Sequence, residues 1–237
     1  MRREFLQFAA LAVAVTEPLF AQTLARPAAT PEQSWQEYFR QGETILHDGE
    51  IRGDAGLLLK AITILRDKAL PLTSRTTDNN DNWVRTRARI GRATLCIGAL
   101  THNAKYYMEA ASIFRSVLAV RARSSSPNAW ADDQNNLGGA LLGLSKTTSN
   151  GPLLKEAEAA FASALEIYSS QKSPKLWADA QTNLGVTHFL IGQSTGNTAY
   201  YARARDELAS AQPHLAKPAA DSVASLLKVI EQRILKG

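Results

Sequence analysis

The chain has 237 residues, of which 45% are hydrophobic and 21% charged, enough apolar content for the buried core of one or two soluble domains. The formal net charge is +5, but the 27 basic residues are dispersed among 22 acidic ones, which argues against a nucleic-acid-binding protein. Cys96 is the single cysteine, so an intrachain disulfide is excluded. Its apolar neighbours predict a small core residue and not a nucleophile.

Residues 1–21 have the features of an export signal. Arg2 and Arg3 precede the short apolar run Phe8–Val15, and small residues near position 21 suit cleavage. The residues that follow Met1 resemble the twin-arginine signature, which implies export of a folded protein. The alternative is an amphipathic N-terminal helix in a cytoplasmic protein, which Glu17 favours. We expect an exported protein, periplasmic or secreted.

A pattern recurs about every 47 residues along the chain. The four tryptophans stand at intervals of 48, 47 and 47 residues: Trp35, Trp83, Trp130 and Trp177. Each is followed by a glycine seven or eight residues later: Gly42, Gly91, Gly138 and Gly185. Nineteen residues after each glycine stands an alanine: Ala61, Ala110, Ala157 and Ala204. Self-similarity at a fixed period is typical of repeat architectures.

Each repeat is predicted to be a pair of helices. Apolar residues follow helical spacing in two segments, as in Leu137–Leu144 and Leu154–Leu165, and no stretch alternates long enough to predict a strand. A residue type that caps helices stands between the segments: Asp54, Asn103, Asn150 and Asn197. Glycine inside a helix costs about 1 kcal/mol relative to alanine, so its recurrence predicts a close helix crossing, with the recurring alanine facing it. We expect each tryptophan to be buried between repeats.

The residues Leu137-Gly138 and Leu184-Gly185, with Ala157-x-x-x-Phe161, resemble the tetratricopeptide repeat family. The resemblance covers Trp35 to about Gln212, with a period of 47 instead of the family's 34. It implies an all-α fold: an α-solenoid of four helix pairs plus a C-terminal capping helix, for which the amphipathic pattern near the end of the chain is suited.

This interpretation divides the chain into a signal peptide, a flexible lead-in, four repeats and a capping helix. The expected bounds are 1–21, 22–31, then about 32–80, 81–126, 127–173 and 174–212, and finally 213–237.

No pattern in the sequence predicts catalysis. The four histidines lie in different repeats, no two are spaced for zinc, and neither a nucleophile elbow nor a phosphate-binding loop occurs. Asp132, Asp133 and Asp179 stand near predicted helix starts, where they interact favourably with the helix dipole, so we do not interpret them as metal ligands. We expect a non-enzymatic protein without a cofactor or metal.

The family resemblance implies that the first helix of each pair lines a concave binding surface. The candidate ligand-facing residues are Gln36, Phe39, Glu43, Arg85, Arg92, Asp132, Asn135, Gly139, Asp179 and Thr182. Alternatively, Arg85 pairs with Asp132 across adjacent repeats, which would contribute less than about 1 kcal/mol.

The expected function is a protein or peptide interaction scaffold, with no nucleic-acid partner and no membrane span in the mature chain. A cytoplasmic sensor that recognises a small ligand or signalling peptide is the first alternative. A self-associating scaffold is the second. The third is a nucleic-acid-binding solenoid, whose affinity would fall steeply with salt.

Overall fold

In the computed structural model, the chain is described over residues 29–74 and 81–235. The predicted signal peptide and most of the predicted lead-in lie outside the described residues. Within these ranges the protein is helical and contains no strand, which confirms the all-α prediction. The described part holds nine α-helices: α1 Pro31–Arg52, α2 Ala55–Ile64, α3 Asp81–Thr101, α4 Ala104–Leu118, α5 Pro127–Thr148, α6 Pro152–Leu165, α7 Pro174–Thr195, α8 Thr198–Ala211 and α9 Lys217–Ile234.

The helix boundaries follow local sequence signals. Proline occupies the first turn of α1, α5 and α7, where its missing N–H interrupts no helical hydrogen bond. Asp54, Asn103 and Asn197 cap α2, α4 and α8 by accepting hydrogen bonds from main-chain N–H groups. Asn150 does not cap α6, contrary to the prediction, because α6 begins at Pro152 and Gly151 occupies the capping position. The main-chain oxygen of Asn150 instead accepts a hydrogen bond from Ser145 Oγ at 2.8 Å.

Each helix packs against the next helix along the chain, from α1 to α9. In addition, the odd-numbered helices α1, α3, α5 and α7 contact one another in sequence. The apolar core forms several clusters along the chain, and the one nearest the C-terminus joins Val223 and Ile230 of α9 to Tyr201 and Leu208 of α8. In the described part of the chain, no helix combines the length and the hydrophobicity that a bilayer crossing requires.

The recurring glycines lie at close helix crossings, as predicted, but the nearest facing group is a larger apolar side chain and not the recurring alanine. A Cβ atom on Gly138 would stand 2.7 Å from Cε1 of Phe161, the residue four positions beyond Ala157. Gly42 and Gly185 meet Leu65 and Leu208 in the same way. The glycine therefore makes room for a large apolar side chain, while the alanine four residues earlier is itself fully buried.

The four tryptophans do not share one environment. Trp35 is buried, and its Nε1 donates a hydrogen bond to Thr86 Oγ1 at 3.0 Å. The others are only half-buried: Trp83, Trp130 and Trp177. The Arg123 guanidinium lies 5.0 Å from the ring centre of Trp130, for example, which covers one face of that indole. The prediction of burial is therefore correct for Trp35 and too strong for the other three.

Candidate binding cleft

A cleft of about 550 Å³ opens between α1, α3, α5 and the start of α7. We call it the central cleft. Its walls carry three arginines and four acidic residues, and Leu100 and Leu176 contribute exposed apolar surface. A concave site of this size with a few convergent polar groups is typical of ligand binding.

Four of the ten candidate residues line the central cleft. They come from α3, α5 and α7: Arg92, Asp132, Asn135 and Asp179. Asp132 and Asp179 are 47 residues apart, so the repeat places two carboxylates at equivalent positions on successive odd-numbered helices.

Phe39 and Arg85 lie elsewhere. Phe39 is only 4% exposed and stacks on Trp35, so it belongs to the core and not to a binding surface. The Arg85 guanidinium covers these two rings, at 5.3 Å from the Trp35 ring centre and 4.9 Å from that of Phe39. The alternative in which Arg85 pairs with Asp132 is therefore wrong.

The remaining four candidates do not line the cleft either. Gln36 is exposed and donates a hydrogen bond to a carboxylate one turn earlier in α1. Glu43 accepts a hydrogen bond from Arg89 Nε at 2.7 Å. Thr182 donates to the main chain of its own helix at 2.8 Å, and Gly139 packs against a leucine of α3.

Each arginine of the cleft already has an acidic partner. Arg92 binds Glu50 through two nitrogens, at 2.5 and 2.7 Å, in the geometry in which a guanidinium binds a carboxylate most strongly. The other two pairs are Arg89 with Glu43 at 2.7 Å and Arg121 with Asp133 at 2.6 Å.

The Arg121–Asp133 pair is the most deeply buried of these, with side chains 8% and 4% exposed. Burial raises the pKa of Asp133 to about 6, although the Arg121 guanidinium opposes the rise. Beside it, the Tyr168 hydroxyl donates a hydrogen bond to Asp132. The pKa of Tyr168 lies above its ordinary value, first because of burial, then because of its hydrogen bond to Asp132 and the negative charges of Asp132, Asp133 and Asp179.

Sequence reasoning missed Arg121 and Tyr168, although a signal for them exists. Both residues stand in the connection that follows a second helix, and they are 47 residues apart, at the same position of the repeat. The structure directs both toward the start of α5, where they donate to Asp133 and Asp132. Aligning the connections between repeats with the 47-residue period would have identified Arg121 and Tyr168 as equivalent polar positions.

Asp179 differs from its counterpart Asp132 because it has no hydrogen-bond or ion-pair partner among the described residues. The position of the repeat that holds Tyr168 in the third unit is occupied in the fourth by Leu215, which cannot donate a hydrogen bond. Burial raises the pKa of Asp179, and the charge of Lys175 opposes this without forming an ion pair in the described structure.

Two further cleft residues have unusual surroundings. Cys96 packs against the apolar core, as predicted, but it is only half-buried and also lines the cleft, where its Sγ lies 3.6 Å from Glu50 Oε1. Burial, with the nearby Glu50 charge, raises the pKa of this thiol to about 11. The Oδ1 atom of Asn135 is buried and accepts no hydrogen bond from any described residue.

The described residues contain no group of three His, Cys, Asp or Glu side chains placed to hold a metal ion. The thiol of Cys96 is held in its protonated form, which is a poor nucleophile. The cleft presents carboxylates, side-chain amides and apolar rims.

Comparisons with known proteins assign no family. No family model matches the chain, and no curated protein does. A solved structure named "DHF58 filament" matches with 16% sequence identity over 84% of this chain and 96% of that chain. Its TM-score is 0.38, which is too low to support a conclusion about the fold.

Proposed function

We propose that this protein is a non-enzymatic interaction module that binds a peptide or protein segment in the central cleft. The observation that carries the proposal is the cleft itself, which lies between successive odd-numbered helices and is lined by Arg92, Asp132, Asn135 and Asp179. In this proposal the 47-residue units are tetratricopeptide-like repeats stacked as a solenoid. Their first helices then form the concave surface on which such arrays bind extended partners.

The lining of the cleft supports a peptide as the occupant. Leu100 and Leu176 are 45% and 44% exposed at its rims, so the cleft presents apolar surface to the side chains of a partner. Between the rims stand the side-chain amides of Asn135 and Asn136, which both donate and accept hydrogen bonds. Such groups match the alternating N–H and C=O groups of a peptide main chain.

A random-peptide display selection on the immobilised full-length chain tests the proposal. Ala99 is an exposed residue that lines the cleft, and Ala99→Trp would fill the cleft without disturbing the core. Ala159 is exposed on α6 outside the cleft, so Ala159→Trp is the matched control. We expect selected peptides to bind the control as they bind the wild type, and to bind Ala99→Trp at least about tenfold more weakly. Equal binding to all three proteins, or a selection that enriches no peptide, would contradict the proposal.

A sensor of a small ligand is the second candidate, since a volume of about 550 Å³ also lies in the range of small-molecule sites. Native mass spectrometry of the protein purified from its own cells distinguishes the two. A sensor would carry a bound small molecule that the Ala99→Trp variant lacks, whereas a peptide-binding module would not.

We further propose that residues 1–21 direct export of the protein. Cell fractionation combined with N-terminal sequencing tests the proposed export independently of binding in the cleft. A mature chain in the periplasm or medium that begins near residue 22 is the expected result. An intact Met1 on cytoplasmic protein would contradict it.

A further inference from the structure

The charged groups of the central cleft do not balance. Its three arginines are each neutralised by an acidic partner within the protein: Arg89 by Glu43, Arg92 by Glu50 and Arg121 by Asp133. Two carboxylates of the lining remain, those of Asp132 and Asp179. The free charge of the cleft is therefore negative, although the chain as a whole carries a formal net charge of +5.

These two carboxylates share one region of the cleft. Both line it together with Tyr168, a residue that is only 4% exposed, and both charges contribute to the raised pKa of the Tyr168 hydroxyl. That hydroxyl donates its single hydrogen bond to Asp132, which leaves Asp179 without a donor among the described residues. The nearest cation on α7, Lys175, forms no ion pair with Asp179 in the described structure.

Asn135 supplies an independent observation at the same site. Its Oδ1 is buried and receives no hydrogen bond from any described residue, and an unpaired buried acceptor is costly. Beside this buried acceptor, Asp179 receives no hydrogen bond from a described residue, and Asp132 receives one only from the uncharged Tyr168 hydroxyl. No arginine of the cleft is left unpaired to attract an anion. A ligand that completes it must bring N–H donors and positive charge.

We propose that the occupant of the central cleft presents a basic side chain, a guanidinium or an ammonium group, to Asp132 and Asp179. This inference rests on the proposed peptide-binding function and specifies its ligand. A guanidinium, which has five N–H donors in a fixed plane, can donate to two carboxylates at once.

The experiment titrates the full-length, ¹⁵N-labelled protein with three acetylated tripeptide amides and follows its amide resonances. The probes are Gly-Arg-Gly, Gly-citrulline-Gly, which is neutral and nearly isosteric, and Gly-Glu-Gly. The arginine peptide should shift the resonances of Asp132, Asn135 and Asp179 in a saturable manner. It should bind at least about tenfold more tightly than the citrulline peptide, because a hydrogen bond between charged groups is stronger than a neutral one.

Variants separate a specific site from general attraction to acidic residues. The double variant Asp132→Asn/Asp179→Asn should weaken binding of the arginine peptide at least about tenfold. Asp221 is exposed on α9, so Asp221→Asn removes one negative charge outside the cleft and should leave binding unchanged. An arginine peptide that does not bind, equal binding of the citrulline or glutamate peptide, or unaltered binding to the double variant would each overturn the inference.

Failure here is distinguishable from failure of the proposed function. If displayed peptides bind in a manner sensitive to Ala99→Trp but lack basic residues, the cleft binds peptides and the inference about charge is wrong. If no displayed peptide depends on the cleft, the proposed function fails and the inference falls with it.

Discussion

His188 lies between two carboxylates, with Nδ1 2.8 Å from Glu207 Oε2 and Nε2 3.1 Å from Glu158 Oε1. The imidazole is 5% exposed. Both ring nitrogens can donate hydrogen bonds only when the ring is protonated, so the arrangement matches the imidazolium cation. Burial lowers the pKa of His188, but the hydrogen bonds to Glu207 and Glu158 outweigh it, and the pKa lies above its ordinary value of 6.5. These side chains come from α6, α7 and α8, so the network joins three helices.

The free energy of unfolding should therefore decrease as the pH rises above about 6.5. The unfolded chain loses its His188 proton near the ordinary value, whereas the folded chain retains it to higher pH. The stabilisation is fully present below the unfolded pKa and is lost as the pH rises through the folded pKa. Urea unfolding measured from about pH 6 to pH 9 checks this. The slope should flatten in Glu207→Gln.

His47 is exposed on α1, so His47→Gln is the control and should keep the slope of the wild type. A slope in this pH range that survives in Glu207→Gln would show that another group is responsible.

Gly138 should not tolerate a side chain, despite its position inside α5. Alanine gains about 1 kcal/mol in helix propensity over glycine. However, the added Cβ would stand 2.7 Å from Phe161, which is fully buried and cannot move aside. Forcing a methyl group into a packed core costs about 1–3 kcal/mol, so we expect Gly138→Ala to lower the free energy of unfolding by up to about 2 kcal/mol.

The adjacent Gly139 provides the matched control. A Cβ there would lie 3.6 Å from Leu95 Cδ2, an ordinary van der Waals contact. Gly139→Ala should therefore stabilise the protein by about 0.5–1 kcal/mol. Thermal or urea unfolding of the two variants checks the contrast, and equal effects at the two positions would contradict the packing argument.

Breaking the Arg121–Asp133 pair should cost more than replacing it. Arg121→Met would leave a buried carboxylate without its partner, which destabilises by about 3–5 kcal/mol near neutral pH. The double variant Arg121→Met/Asp133→Leu removes both charges and should recover most of that loss. Urea unfolding of the single and double variants checks the difference. A double variant as unstable as the single one would contradict this prediction.

The same pair predicts a second pH dependence, with its own range. The pKa of Asp133 is about 6 in the folded protein, above its ordinary value of 3.8, so its contribution to stability is present below pH 3.8 and is lost as the pH rises through about 6. The double variant Arg121→Met/Asp133→Leu should lack this decline between about pH 4 and pH 6. Retention of the full decline would assign it to another carboxyl group.

Cys96 should react slowly with alkylating reagents. The thiolate is the reacting species, and raising the pKa from 9.0 to about 11 lowers its population near pH 8 about a hundredfold. Iodoacetamide labelling followed by mass spectrometry should show this difference between the folded chain and the chain in urea. Glu50→Gln should accelerate labelling, because the Glu50 charge contributes to the raised pKa. Equal rates in folded and unfolded protein would show that burial does not protect the thiol.

Much of the helical architecture could be predicted from local patterns. The helical spacing of apolar residues predicted the two helices of each repeat, and Asp or Asn predicted the starts of α2, α4 and α8. Proline in the first turn is a further local signal. These signals are readable because they act within a few residues along the chain: a capping carboxylate accepts from N–H groups two or three positions away, and proline needs no donor in a first turn.

Partners across helices could not be assigned in this way. Gly138 meets Phe161 and not Ala157, because the angle at which two helices cross decides which side chain enters the gap. Likewise, Arg85 covers two aromatic rings while Asp132 receives Tyr168, since four separate elements must be placed before those groups have neighbours.

The sequence alone thus determined the helical class, the period and the types of residue that the cleft contains. Only the tertiary structure decided which charges the protein neutralises internally and which it leaves free. Pairing depends on distance and burial: Arg89, Arg92 and Arg121 find carboxylates on neighbouring elements, whereas Asp179 finds no partner among the described residues. An ion pair forms only when its two charges lie within a few ångströms of each other, and the partners in these three pairs are 12 to 46 positions apart along the chain.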